Sequence, residues 1–493
     1  MAWIAIDAGT TVIKAVAFSH TGKELALSRA NTEVLRPQNE YSEQSQESMW
    51  QAVASTVRQT AQQCGEPIEG IVSTAQGDGC WLVDASGIPV RNAILWNDGR
   101  SYEIVERWHE EGIIDRAFHI SGSASYPGLP NAILRWLSLH EPQTLTRARW
   151  ALTCNGWLFS CMTGRYAADL SDASNPFCDI KHRQYSPDLL ELFQLEEHLE
   201  KLPPIAQGND LSAPLTSTAA QQMGLPAGIP VLMAPYDIVT TAFGCGVNTP
   251  ERACVILGTT ICTETILPDM DLAQAASGTT IAFEDGQFLR AMPTLTGCEA
   301  LRWGSTLFAG GDQQRLEQLA QAECVSRDGA FFLPYLSAAG ERAPFLEPKA
   351  RGSFHGLSFN TSPSQIAHAL YEGLAFVIRE CLERTAHPAL QSVSVAGGGA
   401  RSDFWCQMIA DVTGRNVVRP AGNELGALGA FLWALKTAGN IDHAQKVSLS
   451  IETETTTFVA RTAEYDLFSR RYKTWLALRD SSSSQWQMLR GER

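Results

Sequence analysis

Ile4-Ala5-Ile6-Asp7-Ala8-Gly9-Thr10-Thr11, running into Val12-Ile13-Lys14-Ala15-Val16-Ala17-Phe18, has a second copy in Ala253-Cys254-Val255-Ile256-Leu257-Gly258-Thr259-Thr260, running into Ile261-Cys262-Thr263-Glu264. Each copy is a β-branched strand that breaks at Gly-Thr-Thr and resumes, which predicts a hairpin with a tight turn. Glycine lets the backbone approach an anion, and successive N–H groups form a partly positive concavity, so each turn suits a phosphate. A lone hairpin of this kind reads equally as an ordinary turn. Its repetition argues for two turns that clasp a polyphosphate from both sides.

The repeat predicts two domains, and so does a length of 493 residues, too great for one hydrophobic core. Glycines in Phe243-Gly244-Cys245-Gly246 permit a hinge, which divides the chain into 1–243 and 244–493. Apolar residues make up 44% and charged residues 18%, ordinary for a globular chain with a large core. No apolar run is long enough to span a bilayer and the N-terminus enters a strand directly, which predicts a cytoplasmic protein. A net charge of −15 argues against nucleic-acid or anionic-membrane partners, which need a basic face. A triphosphate would then rest on backbone N–H groups, hydroxyls, a few cations and Mg²⁺. The 12 cysteines show no CxxC pair and no metal-type Cys/His spacing, and read as reduced core residues. Disorder is expected only in the tail, at Ser481-Ser482-Ser483-Ser484.

Strands and helices alternate in both halves, which is α/β organisation. The first half reads as a helix over 47–63, a strand over 70–75 and a polar loop Gln76-Gly77-Asp78-Gly79. In the second half, Ile366, Leu370, Leu374, Val377 and Cys381 keep a helical apolar spacing behind Ser362-Pro363, which predicts a packed helix over 364–384. A strand over 392–396, the loop Gly397-Gly398-Gly399-Ala400 and a helix over 402–413 follow.

Four groups of residues carry candidate chemistry. Asp7 stands at a strand end beside the first turn, where a Mg²⁺ sphere would be anchored, and Lys14 lies within reach of a transferred phosphoryl group. Its plainer reading is a carboxylate that accepts turn N–H groups. The triple glycine clears side chains so that a flat base can lie at a helix N-terminus, and reads otherwise as a simple turn. Downstream, Asn423-Glu424-Leu425-Gly426-Ala427-Leu428-Gly429-Ala430 is expected to pack a small-residue helix close to that glycine loop. Asp237 ends a short apolar strand and points toward a ligand crevice, where it could take a proton from a hydroxyl or merely cap a helix. The loops Gln76-Gly77-Asp78 and Leu95-Trp96-Asn97-Asp98-Gly99-Arg100 offer donors, acceptors and an aromatic face, a mix that suits a polyhydroxylated ligand. Walker-A, GxGxxG, HExxH and GxSxG patterns are all missing.

Taken in order, these segments resemble the FGGY family of carbohydrate kinases from Ile4 to about Ala430. The most specific piece is Gly352-Ser353-Phe354-His355-Gly356-Leu357, then after seven residues Gln365-Ile366-Ala367-His368-Ala369-Leu370-Tyr371-Glu372, with Gly340-Glu341-Arg342-Ala343-Pro344 upstream. The resemblance implies a two-lobed actin-like ATPase fold (ribonuclease H-like) and an ATP- and Mg²⁺-dependent kinase. It implies Asp7 as the Mg²⁺-linked aspartate, and Thr10, Thr11 and Lys14 as the first phosphate loop, with Gly258 and Thr259 as the second. It further implies Gly398 and Gly399 at adenosine, Asp237 as catalytic base, and Gln76, Asp78, Trp96, Asp98 and Asp237 at the sugar. Two departures, Ile133 for a lysine and Asn155-Gly156-Trp157 for Lys-Asp-Tyr, are expected on the sugar side. Leu95 to Arg100 is similar to xylulose kinases, whereas Gln76-Gly77-Asp78-Gly79 departs from their Gln-Met-His-Gly and is closer to L-xylulose and erythritol kinases. The expected substrate is a ketopentose such as L-xylulose or xylulose; the alternatives are erythritol or another polyol, and, as a competing class, an actin- or chaperone-like ATPase. A homodimer is left open.

Overall fold

Both quoted phrases fold as hairpins. In a computed structural model of the chain, which describes residues 1–323, 329–337, 339–422, 424–452 and 455–489, strands β1 (Ala2–Ala8) and β2 (Val12–Ser19) pair antiparallel with Asp7 opposite Lys14. β3 (Glu24–Asn31) extends the meander, and β4 (Ile68–Ala75) joins β1 in parallel after helix α1 (Gln46–Cys64) crosses over. Ser45 caps α1 by accepting the Ser48 N–H, and Gly65 ends it at φ 69°. With β5 (Ser212–Pro214) and β6 (Pro230–Met233), the first sheet runs β5-β6-β4-β1-β2-β3.

The second copy builds the same order again. β7 (Arg252–Leu257), β8 (Ile261–Leu267), β9 (Thr279–Ala282), β10 (Phe288–Pro293), β11 (Ser392–Ala396), β12 (Asn416–Pro420) and β13 (Thr455–Phe458) form a sheet ordered β9-β10-β8-β7-β11-β12-β13. β7 pairs antiparallel with β8 and parallel with β11, as β1 does with β2 and β4. The fold is therefore α/β with two duplicated lobes. Each sheet is buried under helices; in the second lobe the helix Pro363–Thr385 opens on a capping box between Ser362 and Gln365.

The lobes join through two helices. The first lobe ends in Asp237–Gly244 and the second contributes Leu425–Thr437; these are called the base helix and the bridging helix below. The bridging helix packs on the inner face of the first sheet, where Leu425, Leu428 and Phe431 meet Ala5, Val16 and Val72. Phe18 stacks on Phe431 with ring centres 5.2 Å apart. The two helices touch backbone to backbone: a Cβ at Gly429 would lie 1.8 Å from the Thr240 carbonyl oxygen, and one at Gly244 would lie 2.0 Å from that of Leu425.

The small-residue helix packs against the base helix and the first sheet, its glycines admitting the Thr240 and Gly244 backbone, and it shares a core with Ala396, the residue before the glycine loop; Asn423 lies outside the described residues. One expectation is overturned. The serine tail is helical, within Thr462–Leu489. Ser482 is buried and bonds to the Leu478 carbonyl, and beyond it Trp486 stacks on Phe345 and donates its indole N–H to Arg351. Tertiary anchoring overrides the weak helix propensity of serine. Each described cysteine is free, and most are buried. No helix among the described residues is long and apolar enough to cross a membrane.

Alanine at Gly429 would gain about 1 kcal/mol of helix propensity, but overpacking against a rigid carbonyl costs about 1–3 kcal/mol or more. Gly429→Ala is expected to lower the melting temperature by several degrees in a thermal unfolding scan; an unchanged or raised value would show that the crossing tolerates separation.

Candidate active site

Strand β6 delivers Asp237 to the start of the base helix. Tyr236, not Asp237, takes the N-cap position with extended backbone, and Asp237 is the first helical residue. Its position is fixed from three sides. Thr74 donates its hydroxyl to the Pro235 carbonyl at 2.7 Å, Asn155 donates to the Ala234 carbonyl at 2.6 Å, and the Tyr236 N–H bonds to the Ser171 hydroxyl at 3.1 Å. Burial, reinforced by the nearby Asp7 carboxylate, pushes the Asp237 carboxyl up to about 8. Asp237 forms no ion pair among the described residues. A half-buried carboxyl of this kind at the head of a helix is suited to take up a proton near neutral pH.

On one side of Asp237 lies a charged cluster shared by both lobes. Lys14 reaches Asp7 at 3.3 Å and Glu424 at 3.1 Å, and Arg29 pairs with the same Glu424. Burial pushes the Asp7 carboxyl up against the opposing pull of Lys14. Asp7 also faces the start of the bridging helix, since a Cβ at Gly426 would lie 3.3 Å from its Oδ2. At the turns, Thr11 and Thr259 are exposed. Thr10 points inward instead: its hydroxyl donates to Gln76 at 2.8 Å and accepts the Trp96 indole N–H at 2.9 Å.

The triple glycine works differently from the flat platform expected. A Cβ at Gly397 would strike the Leu257 carbonyl oxygen at 2.7 Å, and one at Gly399 would meet Trp405, Cys298 and Leu257 at 2.7 to 2.9 Å. Two of the glycines therefore seat the loop against the end of β7. Gly398 alone faces open space, since a Cβ there would have nothing within 4 Å. The helix Cys298–Phe308 starts behind the second turn, its first N–H groups bonded to the carbonyls of Gly258 at 2.9 Å and Thr259 at 3.3 Å.

On the other side of Asp237 is a polar wall. Asp78 sits in the left-handed region at φ 53°, a strained conformation for a residue with a side chain and one that clusters at functional sites. Its carboxylate accepts the Tyr126 hydroxyl and the Asn175 amide, the latter at 3.0 Å. Burial nonetheless pushes it up. Arg342, from the second lobe, bonds to the Pro293 carbonyl at 2.8 Å and lays its guanidinium 4.2 Å from the Tyr126 ring centre and 5.8 Å from that of Trp96. Sequence reasoning missed Tyr126, Asn175 and Arg342 in this wall. Only the segment containing Arg342 carried any signal.

Asp98 does not join them. Its Oδ1 accepts two Arg100 N–H groups, its Oδ2 accepts the Ser42 N–H at 2.6 Å, and its side chain is wholly buried. It shapes the loop that carries Trp96 rather than facing the cleft. Gln76 is also buried and acts through Thr10 and Gln44. Ile133 lies in an apolar cluster with Leu82 and Ile94, so that departure does not touch the cleft; Asn155 does, through its bond behind Asp237.

The chain is similar to known proteins in both sequence and fold. The N-terminal domain of the FGGY family of carbohydrate kinases matches residues 2–244 and its C-terminal domain matches 253–438. A probable L-xylulose kinase of Pasteurella multocida is 30% identical over 480 residues, covering 95% of this chain and 98% of the relative. An erythritol kinase of Brucella abortus is 30% identical over 455 residues, covering 88% and 87%. In fold, the chain superposes on a ligand-bound xylulose kinase from Lactobacillus acidophilus with a TM-score of 0.92 at 21% identity, over 99% of this chain and all of that one.

The elevated Asp237 carboxyl has a consequence for stability. Folding favours its protonated form, so the associated stability is fully present below the ordinary value of 3.8 and is lost as pH rises through about 8. Asp237→Asn removes the ionisable group and is expected to raise the melting temperature at pH 8, with the gain shrinking toward pH 4. Equal melting temperatures at both pH values would contradict the buried-carboxyl assignment.

Proposed function

The chain belongs to the FGGY family of carbohydrate kinases and is a phosphotransferase acting on a sugar or polyol hydroxyl; we propose that its acceptor is a neutral ketopentose such as L-xylulose or xylulose. Erythritol or another small polyol is the second reading, favoured by the relative named for it. The observation that carries the proposal is Asp237, half-buried, without an ion pair among the described residues, and within electrostatic range of Asp7 and Lys14 on one hand and of Asp78 on the other.

In this reading, Asp237 accepts the proton of the attacking hydroxyl as that oxygen bonds to the γ-phosphorus of ATP, and ADP leaves. Such transfers depend mainly on positioning and charge stabilisation. Asp78, held by Tyr126 and Asn175, accepts substrate hydroxyls, while Gln76 and Trp96 fix the wall through Thr10. Thr11, Lys14, Gly258 and Thr259 face the phosphates, Thr10 holds that first turn through its bonds to Gln76 and Trp96, and Gly398 and Gly399 adjoin the adenosine. Lys14 is well placed to trade Asp7 for phosphate oxygens. Asp7, a carboxylate beside the first turn whose ion-pair partner is Lys14, would hold Mg²⁺, a hard cation that takes carboxylate oxygens and that would supply charge neutralisation to the phosphates. The sugar-binding and nucleotide-binding domains are divided at 243/244.

Charge supports a neutral acceptor. Asp78, Asp172 and Asp237 act on one another electrostatically, with Arg342 as the cation beside Asp78. An aldonate or uronate would add another negative charge to a poorly solvated pocket.

ADP release should be measured with glycerol, erythritol, xylitol, D- and L-xylulose and D- and L-ribulose. L-xylulose or xylulose is expected to lead, followed by erythritol; a strong preference for glycerol or a hexose, or hydrolysis independent of any acceptor, would overturn the reading. Asp237→Asn is expected to lower kcat by about 10²–10⁴-fold while nucleotide binding persists. For the wild type, kcat/KM for the acceptor should rise about tenfold per pH unit below about 8 and level off above it, because the base must be ionised. A flat profile from pH 6 to 9 would remove Asp237 from that role.

A further inference from the structure

The departure at Gly77 has a steric cause. A Cβ there would lie 2.4 Å from Cδ2 and 2.6 Å from Cε2 of Tyr236, so this ring lies flat on the Gly77 backbone. Gly77 does not have a positive φ, so conformation alone would admit other residues. What excludes them is the space the ring occupies.

That ring belongs to the residue preceding Asp237, and its own backbone is tied to Ser171. The residue is only 5% exposed. Its phenol group lies within electrostatic range of Asp78, Tyr126 and Asp172, and makes no hydrogen bond among the described residues. The ring therefore forms a wall between the Gln76-Gly77-Asp78 loop and the start of the base helix, at the junction of the proposed acceptor site and the base. A side chain at 77 and a large ring at 236 are mutually exclusive ways of filling one space.

We infer that Tyr236, admitted by Gly77, is a specificity-determining residue that sets how long an acceptor the pocket takes. This deepens the proposed function and rests on its placing the acceptor against Asp78. Gly77→Ala would press the ring toward the acceptor and favour shorter chains. Tyr236→Leu would open the floor and favour longer ones. The two changes should compensate, since each relieves the other. Differences of one carbon in such pockets are commonly worth about 10–200-fold in kcat/KM.

The test measures kcat/KM for four-, five- and six-carbon polyols and ketoses in the wild type, Gly77→Ala, Tyr236→Leu and the double variant. Acceptor-dependent thermal shifts report the binding preference among the same acceptors without turnover. Ratios between acceptors on one sample are independent of the fraction of enzyme that is folded, so partial instability does not blur the result. Gly77→Ala is expected to lower the five-to-four-carbon ratio at least fivefold, Tyr236→Leu to raise the six-to-five-carbon ratio at least fivefold, and the double variant to return to within about threefold of the wild type. Unchanged ratios in both single variants, or a double variant no closer to the wild type than either, would overturn the inference. The wild type's own preferred acceptor tests the proposed function separately, since the changes in ratio are read relative to it.

Discussion

The contact on which the structure depends is the backbone crossing of the base helix and the bridging helix. Gly244 and Gly429 let the chains approach until Cβ atoms at those positions would stand 2.0 Å and 1.8 Å from carbonyl oxygens. Each lobe lends the other a helix there, and the apolar residues around the crossing form a core between the two sheets. Asp237 begins one of these helices, and Asp7 lies against the first turn of the other. The separation of two carboxyls drawn from the beginning and the end of the first lobe is thus set by how closely two backbones can pack.

Burial that stabilises the crossing also defines its chemistry. Removing water from around Asp237 disfavours its ionised form, and Asp7 adds repulsion. Lys14 offsets the charge on Asp7 but is shared with Glu424, which in turn pairs with Arg29. The cluster links a first-lobe lysine and arginine to a second-lobe glutamate. Its charges are therefore committed to one another until a competing anion arrives, which suits a site that must receive phosphate without being permanently filled.

The polar wall follows a second principle, that buried polar groups need partners. Thr10 satisfies Gln76 and Trp96 at once, and Gln76 satisfies Gln44, so the first turn and the loops that carry Gln76 and Trp96 are tied into one unit. Asp78 holds a strained backbone because Tyr126 and Asn175 grip its carboxylate. Arg342 reaches this wall from the second lobe, so the wall depends on both halves of the chain.

By itself, the sequence determined the hairpins, the duplication, the α/β alternation and the family, because each of these is written in local periodicity and in short motifs with fixed spacing. It also singled out Asp7, Lys14, Asp78 and Asp237. Only the tertiary structure decided which polar residues face the cleft. Asp98 and Asp78 look equivalent along the chain, yet Arg100 consumes one carboxylate while Tyr126 and Asn175 hold the other at the wall. Gly77 reads as a mere departure from a motif until the Tyr236 ring is seen against it, and the serine tail reads as disordered until Trp486 finds Phe345. Long-range packing settles these cases, because the groups that satisfy a buried polar atom or fill a space come from elsewhere in the chain, and no local pattern encodes which ones will meet.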